Sequence, residues 1–219
     1  MLAINDNIIR KERISTPRDK SASYERIIPA ARKEFLEKGY EKASIRAIAA
    51  GAGMTSAGLY RHFADKEAMF AALVEPLFKE FDGMFGVFKA RDYELLEQGT
   101  LDIMWEDGAD LAAFLDLIYR HFDAAKLLIC CSEGTRYEHF IHDFVVAEQK
   151  ETLAYLVEAR RMGIPVKDIR PEELHLLLSA YATAIFEVVV HDFTREEAQH
   201  YLATLQTFFY PGWRAVLGL

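Results

Sequence analysis

Residues 44–66 constrain this chain more than any other stretch, because their pattern allows two very short helices joined by a tight turn. Ser44 can cap the first helix, which carries Ile48 on an apolar face, and Gly51 and Gly53 end it. Helices of this length do not form alone, because nucleation of a helix is costly. The stretch therefore needs a scaffold behind it.

The second short helix has one apolar and one polar side. Thr55 or Ser56 can cap it, and Leu59 and Phe63 lie four residues apart on the apolar side. The polar side carries Ser56, Ala57, Gly58, Tyr60, Arg61 and His62. This pattern indicates a helix-turn-helix whose second helix lies in the major groove of DNA.

Residues 22–39 are predicted to form the helix that supports this pair. Ser23 can cap that helix and Gly39 can end it. Its apolar stripe repeats at helical spacing and consists of Ile27, Ile28, Ala31, Phe35 and Leu36. We expect the stripe to pack against the two short helices and to close a three-helix core.

Charge is divided unevenly along the chain, whose formal net charge is −8. Through Phe70 there are 13 Lys and Arg against 9 Asp and Glu, or +4, and the remainder holds 13 against 25, or −12. The acidic total argues against a general nucleic-acid coat protein, and the basic first part suggests a DNA-facing unit. Residues 1–21 are polar and basic, and we expect a flexible tail that either touches DNA or has no role.

The rest of the chain is predicted to be helical, which gives an all-α fold. Asp65 can cap a long helix from about residue 66, and Pro76 inside it should kink it or remove one hydrogen bond. Further helices are expected at about 93–106, 108–122, 124–131, 136–162, 171–192 and 195–217. No run of β-branched residues alternates with period two, so we expect no sheet.

The last two predicted helices have wide apolar faces. The residues concerned are Leu174, Leu178, Tyr181, Ile185, Val189, Tyr201, Leu205, Phe208 and Phe209. Such faces pack either inside the monomer or on a second subunit. We favour a homodimer interface, because a two-fold pair of short recognition helices requires a second part of the chain that holds the two subunits together.

The sequence offers little support for a metal site, a redox site or a membrane segment. His139 and His142 with neighbouring acids could bind a metal, but a solvated helix face is the better interpretation, and we predict no metal. The adjacent Cys130 and Cys131 allow no disulfide framework, which fits a reducing cytoplasm, and their apolar neighbours suggest buried, inert thiols. Residues 174–190 are too polar for a bilayer and the first residues lack a signal-peptide pattern, so we expect a cytoplasmic protein without membrane partners.

Residues 22–73 resemble the TetR-type (tetracycline repressor-like) transcriptional regulators in order, spacing and residue types. The resemblance is carried by Ile27, Ala30, Ala31, Phe35, Gly39 and Tyr40, followed by S-I-R-A-I-A-A-G-A-G, T-S-A-G-L-Y-R-H-F and D-K-E-A-M-F. It implies that the last two helices form a four-helix dimer interface. It also implies that the second part of the chain holds a small-molecule pocket whose occupancy releases DNA.

These observations divide the chain into a tail at 1–21, a helix-turn-helix DNA-binding domain at 22–66 and a helical ligand-binding and dimerisation domain at 67–219. We call residues 22–66 the head and residues 67–219 the body. The predicted DNA contacts are Ser44, Arg46, Thr55, Ser56, Ala57, Gly58, Tyr60, Arg61, His62 and Lys66. Arg46 is suited to guanine or phosphate, and Lys66 to phosphate alone.

Aromatic side chains of the body form a candidate ligand pocket, although they could equally be ordinary core. They are Trp105, Tyr119, Phe122, Tyr137, Phe140, Phe144 and Tyr155. No nucleophile elbow or phosphate loop is present, so we predict neither an enzyme nor a bound cofactor.

The sequence thus favours a homodimeric repressor that binds a palindromic operator of double-stranded DNA and is released by an unknown small-molecule effector. Two alternatives stay open. One is an all-helical small-molecule-binding protein whose head no longer binds DNA. The other is a regulator controlled by a protein partner without a ligand.

Overall fold

Helices make up the regular structure of the residues that the computed structural model describes, 17–103 and 109–219. In chain order they are α1 Pro17–Lys42, α2 Ile45–Gly51, α3 Ser56–Leu59, α4 Lys66–Gln98, α5 Ala109–Arg120, α6 Phe122–Cys130, α7 Phe140–Arg161, α8 Pro171–Val190 and α9 Arg195–Leu217. These two ranges contain no strand, so the all-α prediction is confirmed.

Helix α1 begins earlier than the sequence pattern suggested. It starts at Pro17, a residue whose fixed φ suits the first position of a helix, so Ser23 lies inside the helix and is not its cap. The predicted break at Gly39 is present, with φ 71° and ψ 165°, and helical structure resumes through Lys42. The prediction of a start at residue 22 was therefore wrong, and that of the break was right.

Helix α4 links the head to the body. Its 33 residues span about 50 Å at 1.5 Å per residue, with Pro76 inside. The prediction of a separate helix from residue 93 was wrong, because nothing before Gly99 stops α4, and the left-handed φ of 69° at Gly99 ends it. The remainder of that predicted helix reaches residues outside the described ranges.

The remaining body helices lie close to their predicted positions. Helices α5, α6, α8 and α9 differ from the expected bounds by two residues or fewer. Helix α7 starts at Phe140, because residues 136–139, which had been assigned to it, form turns. Helix α9 begins with a full capping box between Thr194 and Glu197.

One buried apolar cluster runs from the head into the body. It includes Ile27 and Phe35 of α1, Phe70 and Leu77 of α4, and continues through α5 and α6 to α8 and α9. The backbone joins the two parts as well, since Tyr40 N donates to Cys131 O at 2.9 Å. The division into domains at residue 66 remains a prediction.

The backbone at Gly39 generates a stability prediction. Gly39→Ala should lower the free energy of unfolding by about 1–3 kcal/mol, because this φ and ψ region is strained for any residue with a Cβ. Gly83→Ala is the matched control, since Gly83 lies inside α4 with open space around it. Alanine there should raise the free energy of unfolding by about 0.5–1 kcal/mol.

Urea unfolding followed by circular dichroism measures both changes. A Gly39→Ala variant as stable as the wild type would contradict the left-handed backbone at residue 39.

Candidate DNA-binding face and interior cavity

Side-chain caps set the first turns of the short helices in the head. Ser44 Oγ accepts from the backbone N–H three residues on at 3.4 Å, and Thr55 Oγ1 does the same at 3.1 Å. Asp65 Oδ1 accepts from the N–H three residues on at 2.7 Å and starts α4. Thr55 rather than Ser56 is thus the cap of α3, which decides between the two candidates from the sequence.

The inner sides of the three head helices are buried against one another. The residues concerned are Ile27, Ala31 and Phe35 of α1, Ile48 and Ala49 of α2, and Leu59 and Phe63 at α3, each exposed by 7% or less. The predicted three-helix core is confirmed. Its burial fixes which side of α2 and α3 points outward.

The outer side carries the residues that the sequence predicted to contact DNA. Exposed are Ser44, Arg46, Thr55, Ala57, Tyr60 and Arg61, and half-buried are Ser56, Gly58, His62 and Lys66. Within the described ranges Arg46 makes no ion pair, so its guanidinium is available to a ligand. The DNA contacts themselves stay predictions.

Helix α3 is shorter than expected. Only Ser56–Leu59 are helical, and Tyr60, Arg61 and His62 lie in the turn that follows, where His62 N donates to Leu59 O at 2.9 Å. This turn brings Phe63 back to the core, where it is 7% exposed. Tyr60, Arg61 and His62 therefore follow the end of α3 and do not form its polar side.

Lys66 has a structural role that the sequence did not suggest. Its Nζ donates to the carbonyls of Tyr40 at 2.7 Å, Glu41 at 3.2 Å and Ala43 at 3.4 Å, and it lies 4.3 Å from the centroid of the Tyr40 ring. A cation at the end of α1 satisfies carbonyls that the helix leaves unpaired. The predicted phosphate contact would have to be made while these bonds persist.

A cavity of about 730 Å³ lies in the body between α4, α7, α8 and α9. Its volume suits a drug-sized molecule. Of the seven residues predicted to line a pocket, Tyr137, Phe140, Phe144 and Tyr155 line this cavity. Trp105 lies outside the described residues.

Tyr119 and Phe122 do not line the cavity, so their prediction was wrong. The Tyr119 hydroxyl donates to Phe193 O at 2.6 Å, and the Tyr119 and Phe122 rings contact each other 5.2 Å apart. They pack at the junction of α5, α6 and the α8–α9 turn.

The α4 side of the cavity was not predicted from the sequence. Phe78, Phe81, Phe85 and Phe88 of α4 line it, as do Tyr181, Tyr210 and Trp213 of α8 and α9. Their spacing along α4 is that of one helix face, and an apolar face of this kind is equally typical of core packing. The excess of phenylalanine on that face was the available signal.

Two half-buried carboxyl groups, Asp92 and Glu148, line the cavity. Burial raises the pKa of Asp92 to about 6, and repulsion from Asp110 adds to the effect. Burial likewise raises the pKa of Glu148 to about 7, with further repulsion from Asp92 and Glu151. Both groups are more protonated near neutral pH than ordinary carboxyls.

The histidines and cysteines of the body form no reactive cluster. His139 pairs with Glu138 at 3.0 Å on the surface, and the described residues contain no group of three or more His, Cys, Asp or Glu that could hold a metal. Cys131 is buried as expected, and burial raises the pKa of its thiol. Cys130 is exposed, which corrects the expectation that both thiols are buried.

Four of the nine residues predicted for the dimer interface are buried in the protomer itself. Leu174, Ile185, Val189 and Leu205 are 8% exposed or less, and Tyr181 packs on Phe209 within the body. The half-buried ones are Leu178, Tyr181, Tyr201 and Phe209, and only Phe208 is exposed, at 75%. The apolar stripe of α8 therefore faces its own core first.

Other apolar side chains of α8 and α9 point outward. Leu176 is 69% exposed, Leu177 39%, Val190 44% and Val216 37%. By length and composition alone α8 could cross a membrane, with a third (33%) of its apolar window buried in the protein, but core helices of soluble proteins pass the same test.

Comparison with known proteins agrees with this arrangement. Residues 27–73 match the family described as "Bacterial regulatory proteins, tetR family". The chain is 28% identical over 159 residues to the HTH-type transcriptional repressor KstR2 of Mycolicibacterium smegmatis, which covers 72% of each protein. It is 40% identical over 53 residues to the HTH-type transcriptional repressor Rv1474c of Mycobacterium tuberculosis, covering 24% of this chain and 28% of that one.

The crystal structure of the transcriptional regulator FadR from Bacillus subtilis in complex with stearoyl-CoA aligns with 84% of this chain and 96% of its own, at a TM-score of 0.49 and 16% identity. The family consists of transcriptional regulators rather than enzymes. Residues 27–73 thus carry the helix-turn-helix of TetR-type transcriptional regulators, and the chain resembles one such repressor over 72% of its length.

Proposed function

We propose that this regulator is a repressor that binds a palindromic operator as a homodimer and leaves it when a small molecule occupies the cavity. The observation that carries the proposal is the exposed side of α2 and α3, where polar residues project from a buried three-helix core. Relatives named as repressors support repression. Such a protein acts in the cytoplasm, where the operator is.

Base reading by α3 should be modest. Ser56, Ala57 and Gly58 stand at its start, where a hydroxyl, a methyl group and a bare backbone can approach base edges. Tyr60 and His62 carry donors suited to phosphate oxygens. We infer that phosphate contacts supply most of the affinity and that Arg46 of α2 supplies the strongest direct contact with a base.

The exposed apolar residues of α8 and α9 support a dimer. We call Leu176, Leu177, Val190, Phe208 and Val216 the α8–α9 face. Exposed small residues lie between them, including Ala180, Ala203 and Ala215, and permit close approach of helices. Several exposed apolar side chains on two neighbouring helices favour an interaction site.

Residues 131–138, between α6 and α7, support communication between cavity and head. Arg136 N donates to Glu67 Oε1 at 3.1 Å at the start of α4, and the Arg136 guanidinium donates to Glu75 at 2.9 Å. The next residue, Tyr137, lines the cavity and contacts the rings of Phe78 and Phe70. A ligand that displaces Tyr137 would act directly on the N-terminal turns of α4, which pack against the head.

An electrophoretic mobility shift with DNA from upstream of the regulator's own gene tests the proposal. We expect a specific complex at protein concentrations below those that shift unrelated DNA, weakening as salt is raised. If no specific complex forms in that range, the chain is not the proposed repressor.

Arg46→Ala should weaken operator binding by about 1–3 kcal/mol and relax the preference at one base pair, because a bidentate contact to guanine is lost. Arg46 is exposed and unpaired in the described part of the chain, so the free energy of unfolding should not change. Titration of wild type and variant against an operator and its single-base variants measures both effects. Unaltered affinity and sequence preference would remove Arg46 from the interface.

Lys66→Met should lower the free energy of unfolding by about 1–3 kcal/mol, because three carbonyls at the end of α1 lose a charged donor while the apolar stem is kept. Urea unfolding measures this change. The salt dependence of DNA binding tests the predicted phosphate contact, since its loss lowers the slope of log K against log[salt] by about 0.9. An unchanged slope together with lower stability would assign Lys66 to the fold alone.

Phe208→Glu should convert the protein to monomers and weaken operator binding by at least about 2 kcal/mol, because a charge would be buried at the centre of the α8–α9 face. Val87→Glu is the matched control, since Val87 is exposed at 66% on α4, away from this face. Sedimentation analysis of the wild type and both variants measures their oligomeric state. A monomeric wild type, or a dimeric Phe208→Glu variant, would contradict the proposed interface.

A further inference from the structure

The cavity in the body is lined by an excess of acidic side chains. Six carboxyl groups line it, from Asp82, Asp92, Asp110, Asp143, Glu148 and Glu151, against two cationic side chains, Lys89 and Arg136. The lining thus carries four more acidic than basic side chains. An interior with this balance favours positive charge.

Both cations of the lining are already paired with carboxylates. The ammonium of Lys89 contacts Glu151, and the Arg136 guanidinium lies 2.9 Å from Glu75, which is outside the cavity. Asp110 is paired as well, with Arg91 at 2.8 Å. An anionic ligand would therefore find no unpaired cation among these lining residues.

Asp92 and Glu148 are the carboxyls left for a ligand. Both are half-buried, Asp92 on α4 and Glu148 on α7, and within residues 17–103 and 109–219 neither makes a hydrogen bond or an ion pair. The positive charge of Arg91 attracts Asp92, but more weakly than burial and Asp110 oppose its ionisation. Asp92 and Glu148 repel each other, since each lies within the other's electrostatic reach. A positive charge placed between them would relieve both the repulsion and the lack of a partner.

Aromatic rings form the rest of the wall. Phe81 and Phe85 of α4 contact Phe144 of α7 with ring centroids 5.8 Å and 5.5 Å apart, and Tyr181 and Trp213 line the opposite side. The faces of such rings attract cations, and their apolar surface accommodates hydrocarbon. The wall and the two carboxyls thus suit different parts of the same molecule.

We propose that the cavity binds a lipophilic organic cation, an amine or quaternary ammonium compound whose charge lies against Asp92 and Glu148 while its apolar body lies among the aromatic rings. The inference rests on the proposed ligand-controlled function and names the class of ligand.

The two carboxyls make the binding dependent on pH. Around them stand Lys89, Arg91 and Tyr93 of α4, Asp110 of α5, Glu151 and Tyr155 of α7, Tyr181 of α8 and Tyr210 of α9. The pKa values of Asp92 and Glu148 are raised to about 6 and about 7, so both groups lose their protons between mildly acidic and mildly basic pH. Affinity for a permanently charged cation should therefore rise from about pH 5 to about pH 8.

The test uses three probes that share one alkyl chain, so that only the head group differs: decyltrimethylammonium, decanol and decanoate. Isothermal titration of the full chain is carried out at constant ionic strength and at several pH values. We expect the ammonium compound to bind more tightly than decanol, decanoate to bind least, and only the ammonium affinity to increase with pH.

Two isosteric variants locate the charge. Asp92→Asn and Glu148→Gln should each weaken ammonium binding by at least about tenfold, flatten its pH dependence and leave decanol binding unchanged. Glu158→Gln is the matched control, because Glu158 lies on the same helix as Glu148 but outside the cavity, where it pairs with Arg161. Thermal unfolding of each variant verifies that it is folded.

The outcomes separate this inference from the proposed function. Ammonium binding that needs both carboxyls supports the ligand class, whether or not the same compound releases DNA in a mobility-shift experiment. Failure of a bound cation to release DNA would count against the ligand-controlled repressor alone. Preferential binding of decanoate or decanol, no binding of the ammonium compound, or ammonium binding that is insensitive to both variants would each overturn the cation proposal.

Discussion

The burial of Phe70 is the contact on which the rest of the structure depends. Its ring is fully buried and touches Phe35 at 5.3 Å and Tyr40 at 5.6 Å, both in α1, and Tyr137 of the body at 6.0 Å. One side chain of α4 thus belongs to the core of the head and to the packing of the body. Removing the ring would leave a cavity at the junction of these two parts.

From Phe70 a continuous series of rings leads to the cavity. Tyr137 contacts Phe78 at 5.4 Å, and Phe78 contacts Phe140 at 5.4 Å, so head core and cavity wall are joined by direct packing. Close-packed interiors transmit displacement because they contain little free volume. In the proposed repressor, a ligand would change the position of the head through this series and through the Arg136 contacts with α4.

What could be predicted from the sequence was the part set by local chemistry. The caps at Ser44, Thr55 and Asp65 follow from side-chain chemistry and neighbouring residues, and the helical spacing gave the head core and most helix positions. The face of α4 that lines the cavity could not be predicted, because an apolar stripe looks the same whether it covers a core or a cavity. The buried position of Leu174 and the bonds of Lys66 to the end of α1 depend on elements far away in sequence, which no local pattern records.

The two carboxyls of the cavity have a consequence for the protein without ligand. The pKa values of Asp92 and Glu148 in the fold lie above those of the same groups in an unfolded chain. The folded protein therefore binds protons more tightly, and its free energy of unfolding falls as the pH rises through about 6 to 7. At neutral pH the empty protein is therefore less stable than a variant with neutral groups in their place would be. A locally unfavourable interior of this kind is the compromise expected between the proposed binding site and the fold that contains it.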